Sequence, residues 1–135
     1  MRVPFKELSD DAGPYLRPIV HVGVGGHDLG LGCLVDTGAL HNRFGRWVGE
    51  VLGVDLDAGD RGRAALGGVV TETVTVPMPL TLGDWTWSAP VSFCEPWPFD
   101  FQILGQEGFL RFFRVLLVAS EHRMDVDLDP GSAAW

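Results

Sequence analysis

The most informative stretch of the chain is Cys33-Leu34-Val35-Asp36-Thr37-Gly38-Ala39, in which an apolar strand runs directly into an acid, a hydroxyl residue and a glycine. Burying a carboxylate at the end of an apolar strand is costly unless the group is hydrogen-bonded or paired. Thr37 and the amide of Gly38 can supply such bonds within the same turn. Glycine at this point also lets a second backbone or a ligand come close. An ordinary Asp-Thr-Gly turn, in which the aspartate only caps the loop, is the alternative interpretation.

A second apolar strand stops at a glycine well downstream, at Phe101-Gln102-Ile103-Leu104-Gly105. A helical turn or two is predicted directly after it, from Glu107 to Phe113. Two apolar strand ends that both stop at glycine can lie beside one another and frame a tight loop. Because a core strand with a capping glycine gives the same pattern, this element carries weight only together with the first.

The rest of the chain is rich in turn-forming residues, with 18 glycines and 9 prolines among 135 residues. Such a composition favours many short strands over long helices. Strands are predicted at Ile19–Val24, Leu29–Val35, Met78–Leu82, Trp85–Phe93, Phe101–Leu104, Val115–Ala119 and Met124–Leu128. The alternation of acidic and apolar residues from Met124 to Asp129 is typical of an exposed edge strand.

Between these strands the sequence predicts one short helix and one further hairpin. The helix runs from Phe44 to Leu52 and ends at Gly53, which occupies the C-cap position. A polar loop follows from Asp55 to Arg63. The hairpin extends from Ala64 to Val76, around Gly67-Gly68, because glycine tolerates the positive φ values of tight turns.

No internal repeat, low-complexity tract or linker divides the chain. A chain of this length suits one compact domain. We therefore expect a single domain over residues 1–135, with a polar N-terminal segment at 1–18 and a core at 19–128.

The net charge of the chain is −8. An acidic surface repels nucleic-acid phosphates and anionic lipid, so we expect neither nucleic acid nor membrane as a partner. No apolar run approaches the ~20 residues of a membrane span. Residues Met1 to Glu7 lack the apolar core of a signal peptide, and we expect a soluble cytoplasmic protein.

The cysteines and histidines do not compose a metal site. Cys33 and Cys94 have no near neighbour at a zinc-like spacing, and buried free thiols are favoured over a disulfide. His21, His27 and His41 have no cysteine or glutamate that completes a short-spaced triad of ligands. We expect no metal and no cofactor. A Ser-His-Asp arrangement stays open, although the chain has no Gly-x-Ser-x-Gly elbow.

Together these residues resemble the retropepsin-like aspartic proteases, single-domain enzymes of retroviruses, retrotransposons and bacteria. Leu34 to Ala39 looks like the active-site loop of that family, and Leu40-His41-Asn42 is similar to its retrotransposon members. Ile103-Leu104-Gly105 looks like the family's second apolar element, which precedes its C-terminal helix. The hairpin around Gly67-Gly68 comes at the point in the chain where the family has its flap. Gln106 is a departure, because many members have arginine or aspartate there.

The resemblance implies a mostly-β fold: a small closed acid-protease-like β-barrel with one or two short helices, and one lobe per chain. It implies an aspartic endopeptidase in which Asp36, Thr37 and Gly38 are the catalytic residues. The substrate-binding residues that it implies are Ala39, Gly67, Gly68, Ile103 and Leu104.

The chain holds a single Asp-Thr-Gly and no Asp-Ser-Gly. An aspartic site needs two carboxylates that share one proton, one as base and one as acid. A twofold axis between Asp36 of two copies supplies both, so we expect a homodimer with an isologous interface. As the resemblance implies, Thr37 would bond across the axis, and an extended peptide or protein substrate would lie under the flap. A non-catalytic dimerisation or peptide-binding module on the same fold is the alternative, with Asp36 as a structural turn residue.

Overall fold

The computed structural model describes residues 1–10 and 13–132, and extended strands make up most of that part of the chain. The strands are β1 (Arg2–Pro4), β2 (Lys6–Asp10), β3 (Gly13–Arg17), β4 (Ile19–Val24), β5 (His27–Val35), β6 (Asn42–Gly45), β7 (Asp60–Leu66), β8 (Val69–Leu82), β9 (Trp85–Glu95), β10 (Gln102–Leu104), β11 (Phe113–Val118) and β12 (Arg123–Leu128). The helix α1 spans Arg46–Leu52, and single helical turns lie at Leu56–Ala58, Gln106–Leu110 and Ala119–Glu121. Residues 11, 12 and 133–135 of the predicted domain lie outside the described residues.

Six of the strands close into a small barrel, in the order β4-β5-β10-β6-β9-β8. The barrel closes where β8 pairs back onto β4, with Gly23 opposite Thr81 and Val24 opposite Leu80. Strand β7 extends the sheet beyond β8. The interior is filled by side chains that are fully buried, among them Val22, Val24, Phe44, Leu80, Val91, Phe93 and Leu104. Burying each large apolar side chain stabilises the fold by about 1.5–3 kcal/mol. The strand order and the pairing of β8 with β4 confirm the predicted mostly-β closed barrel.

Strand β10 lies between β5 and β6 and organises the barrel around the Asp-Thr-Gly stretch. It runs parallel to β5, with Gln102 opposite Cys33 and Leu104 opposite Val35. It runs antiparallel to β6, to which it is joined at Ile103. The loop from β5 to β6, residues 36–41, must therefore pass over the end of β10. We call it the Asp36 loop.

The helix α1 is shorter than the sequence predicts, because Phe44 and Gly45 belong to a strand. Both residues pair in parallel with β9, Phe44 with Phe93 and Gly45 with Cys94. Because these two residues pair with β9, the helix begins only at Arg46. The predicted end of the helix is confirmed, since Gly53 has a φ of 69° and its N–H bonds to the carbonyl of Glu50.

The region around the Gly67-Gly68 turn is more extended than predicted. The expected polar loop from Asp55 to Arg63 already contains the start of β7 at Asp60. On the other side of the turn, β8 runs without a break through Pro77, which lies opposite Pro90 of β9. Proline has no N–H to donate. Because the two prolines lie opposite each other, the missing hydrogen bonds are confined to one residue pair of β8 and β9.

The N-terminal segment contributes three strands that its polar composition did not predict. Strand β1 pairs with β12, which places β12 in the centre of the sheet β1-β12-β11. The predicted exposed edge strand at 124–129 is therefore wrong, and Met124 and Val126 are buried. Strands β2 and β3 form a separate hairpin, with Leu8 opposite Tyr15. Within the described ranges, no helix has the length and apolar character that crossing a membrane requires.

Asp125 joins β1 to β12 by side-chain contacts as well as by backbone pairing. Its Oδ1 lies 2.9 Å from Nε of Arg2, and its Oδ2 lies 2.6 Å from Nη1 of Arg123. The hydrogen bond from Arg2, helped by Arg123, lowers the pKa of the Asp125 carboxyl. A carboxyl whose pKa is lower in the folded state stabilises the fold above its unfolded pKa, and this stabilisation is lost as the pH falls through the folded pKa.

The substitution Asp125→Asn should therefore destabilise the protein at neutral pH and lose its effect in acid. Urea unfolding of the variant and of the wild type over a series of pH values measures the difference. Asp127→Asn is the matched control, since its carboxylate lies on the same strand and is 75% exposed. Because this side chain is mostly exposed, Asp127→Asn should destabilise the protein less at neutral pH. A difference for Asp125→Asn that stays constant from neutral to strongly acidic pH would contradict the assignment.

Candidate active site

Asp36 comes directly after β5 and is fixed by backbone groups on both sides. Its N–H donates to the carbonyl of Leu104 in β10 at 3.0 Å. Its Oδ1 accepts a hydrogen bond of 2.8 Å from the N–H of Gly38. In the described part of the chain its Oδ2 has no hydrogen-bond partner. The side chain is half-buried, so one oxygen orients the carboxylate and the other can meet a ligand.

The hydrogen bond from Gly38 does not by itself distinguish Asp36 from a turn residue. Asp28 accepts the same kind of bond from the N–H of Gly30 at 2.9 Å, and Asp129 accepts one from Gly131 at 3.0 Å. The interpretation as a capping turn thus describes the local geometry correctly. What distinguishes Asp36 is its bond to β10 and the cleft beside it.

Gly105 permits the Asp36 loop to lie directly against the end of β10. A Cβ atom at this position would lie 2.5 Å from the carbonyl oxygen of His41 and 2.7 Å from that of Ala39. The next amide, that of Gln106, donates to the Ala39 carbonyl at 2.8 Å. Any residue other than glycine would push the two backbones apart, which explains why the apolar strand stops at glycine.

Asn42 fixes the same junction from inside the barrel. It is completely buried, its Oδ1 accepts from the N–H of Gly105 at 3.0 Å, and its Nδ2 donates to the carbonyl of Gly108 at 3.0 Å. The indole N–H of Trp87 donates to the same Gly108 carbonyl at 2.8 Å. Sequence reasoning missed this role, because the partners of Asn42 are backbone groups that lie far along the chain.

Gln106 supplies a polar contact at the position where the sequence departs from the resemblance. Its side-chain Nε2 donates to the backbone carbonyl of Thr37 at 2.7 Å. This bond ties the exposed middle of the Asp36 loop to the helical turn Gln106–Leu110. The loop is therefore held at Asp36, Thr37 and Ala39 by groups that follow β10 or belong to it.

A cleft of about 290 Å³ lies beside Asp36. One wall is the hairpin of β7 and β8, which we call the flap hairpin. Its turn is Gly67-Gly68, with φ values of 56° and 79° that only glycine adopts readily. The residues that line the cleft are Asp36, Gly38, Ala39, Leu40, Arg43, Ala65, Leu66, Gly67, Phe99 and Ile103.

The structure thus brings together five of the eight residues singled out in the sequence: Asp36, Gly38, Ala39, Gly67 and Ile103. Thr37 is exposed at the turn of the loop, and Gly68 lies in the flap turn, outside the cleft lining. Leu104 is buried in the barrel and contributes its carbonyl to Asp36. Their functional roles stay predictions.

Five other lining residues were not predicted as site residues, and two of them, Arg43 and Phe99, come from outside the Asp36 loop and the flap hairpin. Arg43 reaches the cleft because β6 pairs with β10, a register that only the folded chain reveals. Phe99 belongs to the aromatic run Trp97-Pro98-Phe99, which is the one signal in the sequence that could have identified it.

Both cysteines are buried, and neither lines the cleft. Burial raises the pKa of the Cys33 thiol, which lies three residues before Asp36, and it raises the pKa of Cys94 as well. Since the thiolate is the nucleophilic form, burial disfavours reaction at these thiols. Nowhere in residues 1–10 and 13–132 do three His, Cys, Asp or Glu side chains come together as metal ligands.

No protein-family model matches the chain, and no curated protein matches it significantly. Among solved structures, the chain is similar to a retropepsin-like aspartic protease from Rickettsia conorii, with a TM-score of 0.57 and 13% sequence identity. The match covers 94% of this chain and 98% of that protein. A likeness over the whole length at such low identity establishes the fold, which is retropepsin-like.

The Asn42 network gives a test of what holds the Asp36 loop in place. Asn42→Ala should lower the free energy of unfolding by about 3 kcal/mol, because it leaves the Gly105 N–H without a partner and opens a cavity. Trp87→Phe is the control. It should cost only about 1–2 kcal/mol, since the Gly108 carbonyl keeps its bond from Asn42. Chemical denaturation measures both values, and equal losses would show that Asn42 has no special role.

Proposed function

We propose that the chain is an aspartic endopeptidase that acts as a homodimer, each copy contributing Asp36. The observation that carries the proposal is the position of this carboxylate. It lies in a cleft under the flap hairpin, with Oδ1 held by Gly38 and Oδ2 without a partner in the described part of the chain. The likeness to a solved aspartic protease supports the same function through the fold.

In the proposed reaction two carboxylates share one proton, because like charges so close together do not both ionise. The ionised carboxylate takes a proton from a water molecule, whose oxygen attacks the carbonyl carbon of the peptide bond. The protonated carboxyl gives its proton to the carbonyl oxygen. When the tetrahedral intermediate breaks down, the protonated carboxyl gives its proton to the leaving nitrogen and the C–N bond is cleaved. The other carboxylate takes a proton from a hydroxyl of the intermediate, which leaves a carboxylic acid as product and restores the shared proton.

The second carboxylate comes from a second copy, since the chain holds one Asp-Thr-Gly. In an isologous interface the same loop of both copies meets at the twofold axis. Thr37 is exposed beside Asp36, and its carbonyl is held by Gln106. Thr37 is therefore placed at the surface of a fixed loop, where its hydroxyl would bond across the axis.

The substrate in this proposal is an extended peptide that lies between the Asp36 loop and the flap hairpin. Ala39 and Ile103 line the cleft below it, and Gly67 lines it from the flap turn. Glycines at the turn keep the flap free of bulk where the peptide backbone passes. Gly68 would act as the second turn residue, and Leu104 would act through its bond to Asp36.

Replacement of the acid by its amide tests the catalytic role directly. Asp36→Asn should abolish peptide cleavage and leave the fold intact, because the amide keeps an oxygen for the Gly38 N–H but cannot hold the shared proton. Cleavage of a random peptide pool, followed by mass spectrometry, measures the loss. Cleavage at the wild-type rate by the variant would show that Asp36 is not catalytic.

Asp28→Asn is the matched control for this experiment. Asp28 accepts the equivalent turn bond from Gly30 and does not line the cleft. It should therefore cleave the same peptides as the wild type. If the wild type binds peptides without cleaving them, and if both variants bind the same peptides equally well, the protein is the non-catalytic peptide-binding module.

The protein should have the mass of a dimer in solution at micromolar concentration, and Asp36→Asn should keep that mass. The reason is that a single copy holds half of the proposed dyad. Sedimentation or light scattering measures the mass, with and without a hydroxyl-bearing peptide analogue of the tetrahedral intermediate. The mass of a single chain under both conditions would contradict the homodimer.

A further inference from the structure

A second groove lies next to the cleft, between the hairpin β2–β3 and the loop of residues 96–101. We call it the hairpin groove and the loop the aromatic loop. The volume of the groove is about 310 Å³, comparable with the cleft at Asp36. Its lining residues are Glu7, Leu8, Arg17, Pro98, Phe99, Asp100 and Phe101.

Phe99 lines both the hairpin groove and the cleft, so the two spaces adjoin the same aromatic ring. A Cβ atom on Gly67 would lie 3.0 Å from Cζ of Phe99, which places the ring directly against the flap turn. On one side of Phe99 a ligand therefore meets Asp36 and the flap hairpin. On the other side it meets the β2–β3 hairpin.

The aromatic loop is a fixed wall for such a ligand. Phe99 stacks on Phe101 with ring centroids 5.0 Å apart, and it meets Trp97 edge-on at 5.4 Å. The indole N–H of Trp97 closes the loop by donating to the carbonyl of Phe101 at 3.1 Å. Since aromatic pairs and this hydrogen bond hold the loop in one shape, the groove is formed before a ligand arrives.

We propose that the hairpin groove binds an apolar side chain of the polypeptide substrate, outside the residues that flank the scissile bond, so that the β2–β3 hairpin selects substrates. The inference rests on the proposed function, because it takes the ligand of the adjoining cleft to be a peptide. An extended peptide advances about 7 Å in two residues, which is enough to pass one aromatic ring. The occupant is therefore the same chain that lies in the cleft.

The lining of the groove determines the kind of side chain. Leu8, Pro98, Phe99 and Phe101 present apolar surface, which favours a leucine- or phenylalanine-like residue. Glu7, Arg17 and Asp100 are the charged residues of the same lining. Arg17 also lies over the ring of Tyr15, with its guanidinium carbon 5.8 Å from the ring centroid.

Leu8 and Leu16 provide a matched pair of variants within the same hairpin. Leu8 lies opposite Tyr15, whereas Leu16 lies opposite Glu7, so the two leucines occupy opposite faces. Leu8 lines the groove, and Leu16 is 45% exposed and does not. Leu8→Asp should damage the groove, and Leu16→Asp should spare it. Leu8→Met keeps an apolar side chain and should also spare it.

The experiment starts from peptides of about ten residues, about 33 Å when extended, that the wild type cleaves in a random pool. Each position of such a peptide is replaced in turn by serine, and kcat/KM is measured. One apolar position away from the scissile bond should lose about tenfold on replacement by serine, the effect of one buried apolar side chain. In Leu8→Asp, replacing that peptide position by serine should no longer lower kcat/KM. In Leu16→Asp and in Leu8→Met, the same replacement should still lower kcat/KM about tenfold. The same serine profile in Leu8→Asp and in the wild type would overturn the proposal.

Binding to the Asp36→Asn variant separates this inference from the proposed function. Labelled peptides are selected from the same pool by their binding to Asp36→Asn, whether or not the wild type cleaves them. Fluorescence anisotropy of these peptides should show weaker binding when Leu8→Asp is added, and unchanged binding when Leu16→Asp is added. If the wild type cleaves nothing but this pattern of binding holds, the protease proposal fails and the hairpin groove is supported. If Leu8→Asp does not change binding, or if no peptide in the pool binds, the hairpin groove is wrong.

Discussion

The close approach of two backbones at Gly105 is the constraint on which the rest of the structure depends. Strand β10 enters the barrel between β5 and β6, and its end lies under the carbonyls of Ala39 and His41 with no space for a side chain. This contact gives the Asp36 loop its shape. Asn42 then satisfies the buried Gly105 amide, and Gln106 holds the outer part of the loop. The position of the Asp36 carboxylate thus follows from a steric fact about a glycine almost seventy residues away.

The parts of the structure that the sequence predicts are those set by local physics. An apolar strand that ends in Asp36-Thr37-Gly38, a second that ends at Gly105, and the Gly67-Gly68 turn can all be read from neighbouring residues. Pairing between distant segments cannot be predicted from neighbouring residues. Phe44 looks helical by its spacing, but the ladder to β9 makes it a strand. The segment before Pro18 forms strands that its polar composition does not predict, because exposed strands need few apolar residues.

The site shows why a short motif and a chemical function are different things. The hydrogen bond that Gly38 gives to Asp36 occurs again at Asp28 and at Asp129, neither of which lines the cleft. Sequence could not separate these three turns, since each is an aspartate followed two residues later by a glycine. The difference lies in the surroundings of Asp36, namely β10 on one side and the flap hairpin on the other. A fold supports many functions, and this arrangement of groups is what favours one of them.

Strand β8 carries the flap turn at one end and the seam of the barrel near the other. It leaves the turn at Val69 and continues through Pro77 to the pairing of Leu80 and Thr81 with β4. It is paired with β9 from Glu72 to Leu82, and only Val69 to Thr71, next to the turn, pair with β7 alone. The flap hairpin therefore has no hinge at its base, and it can open only if the paired strands bend and twist together. Resistance to that deformation is distributed over the ladder, so the stiffness of the flap and the closure of the barrel are one mechanical property of the same strand.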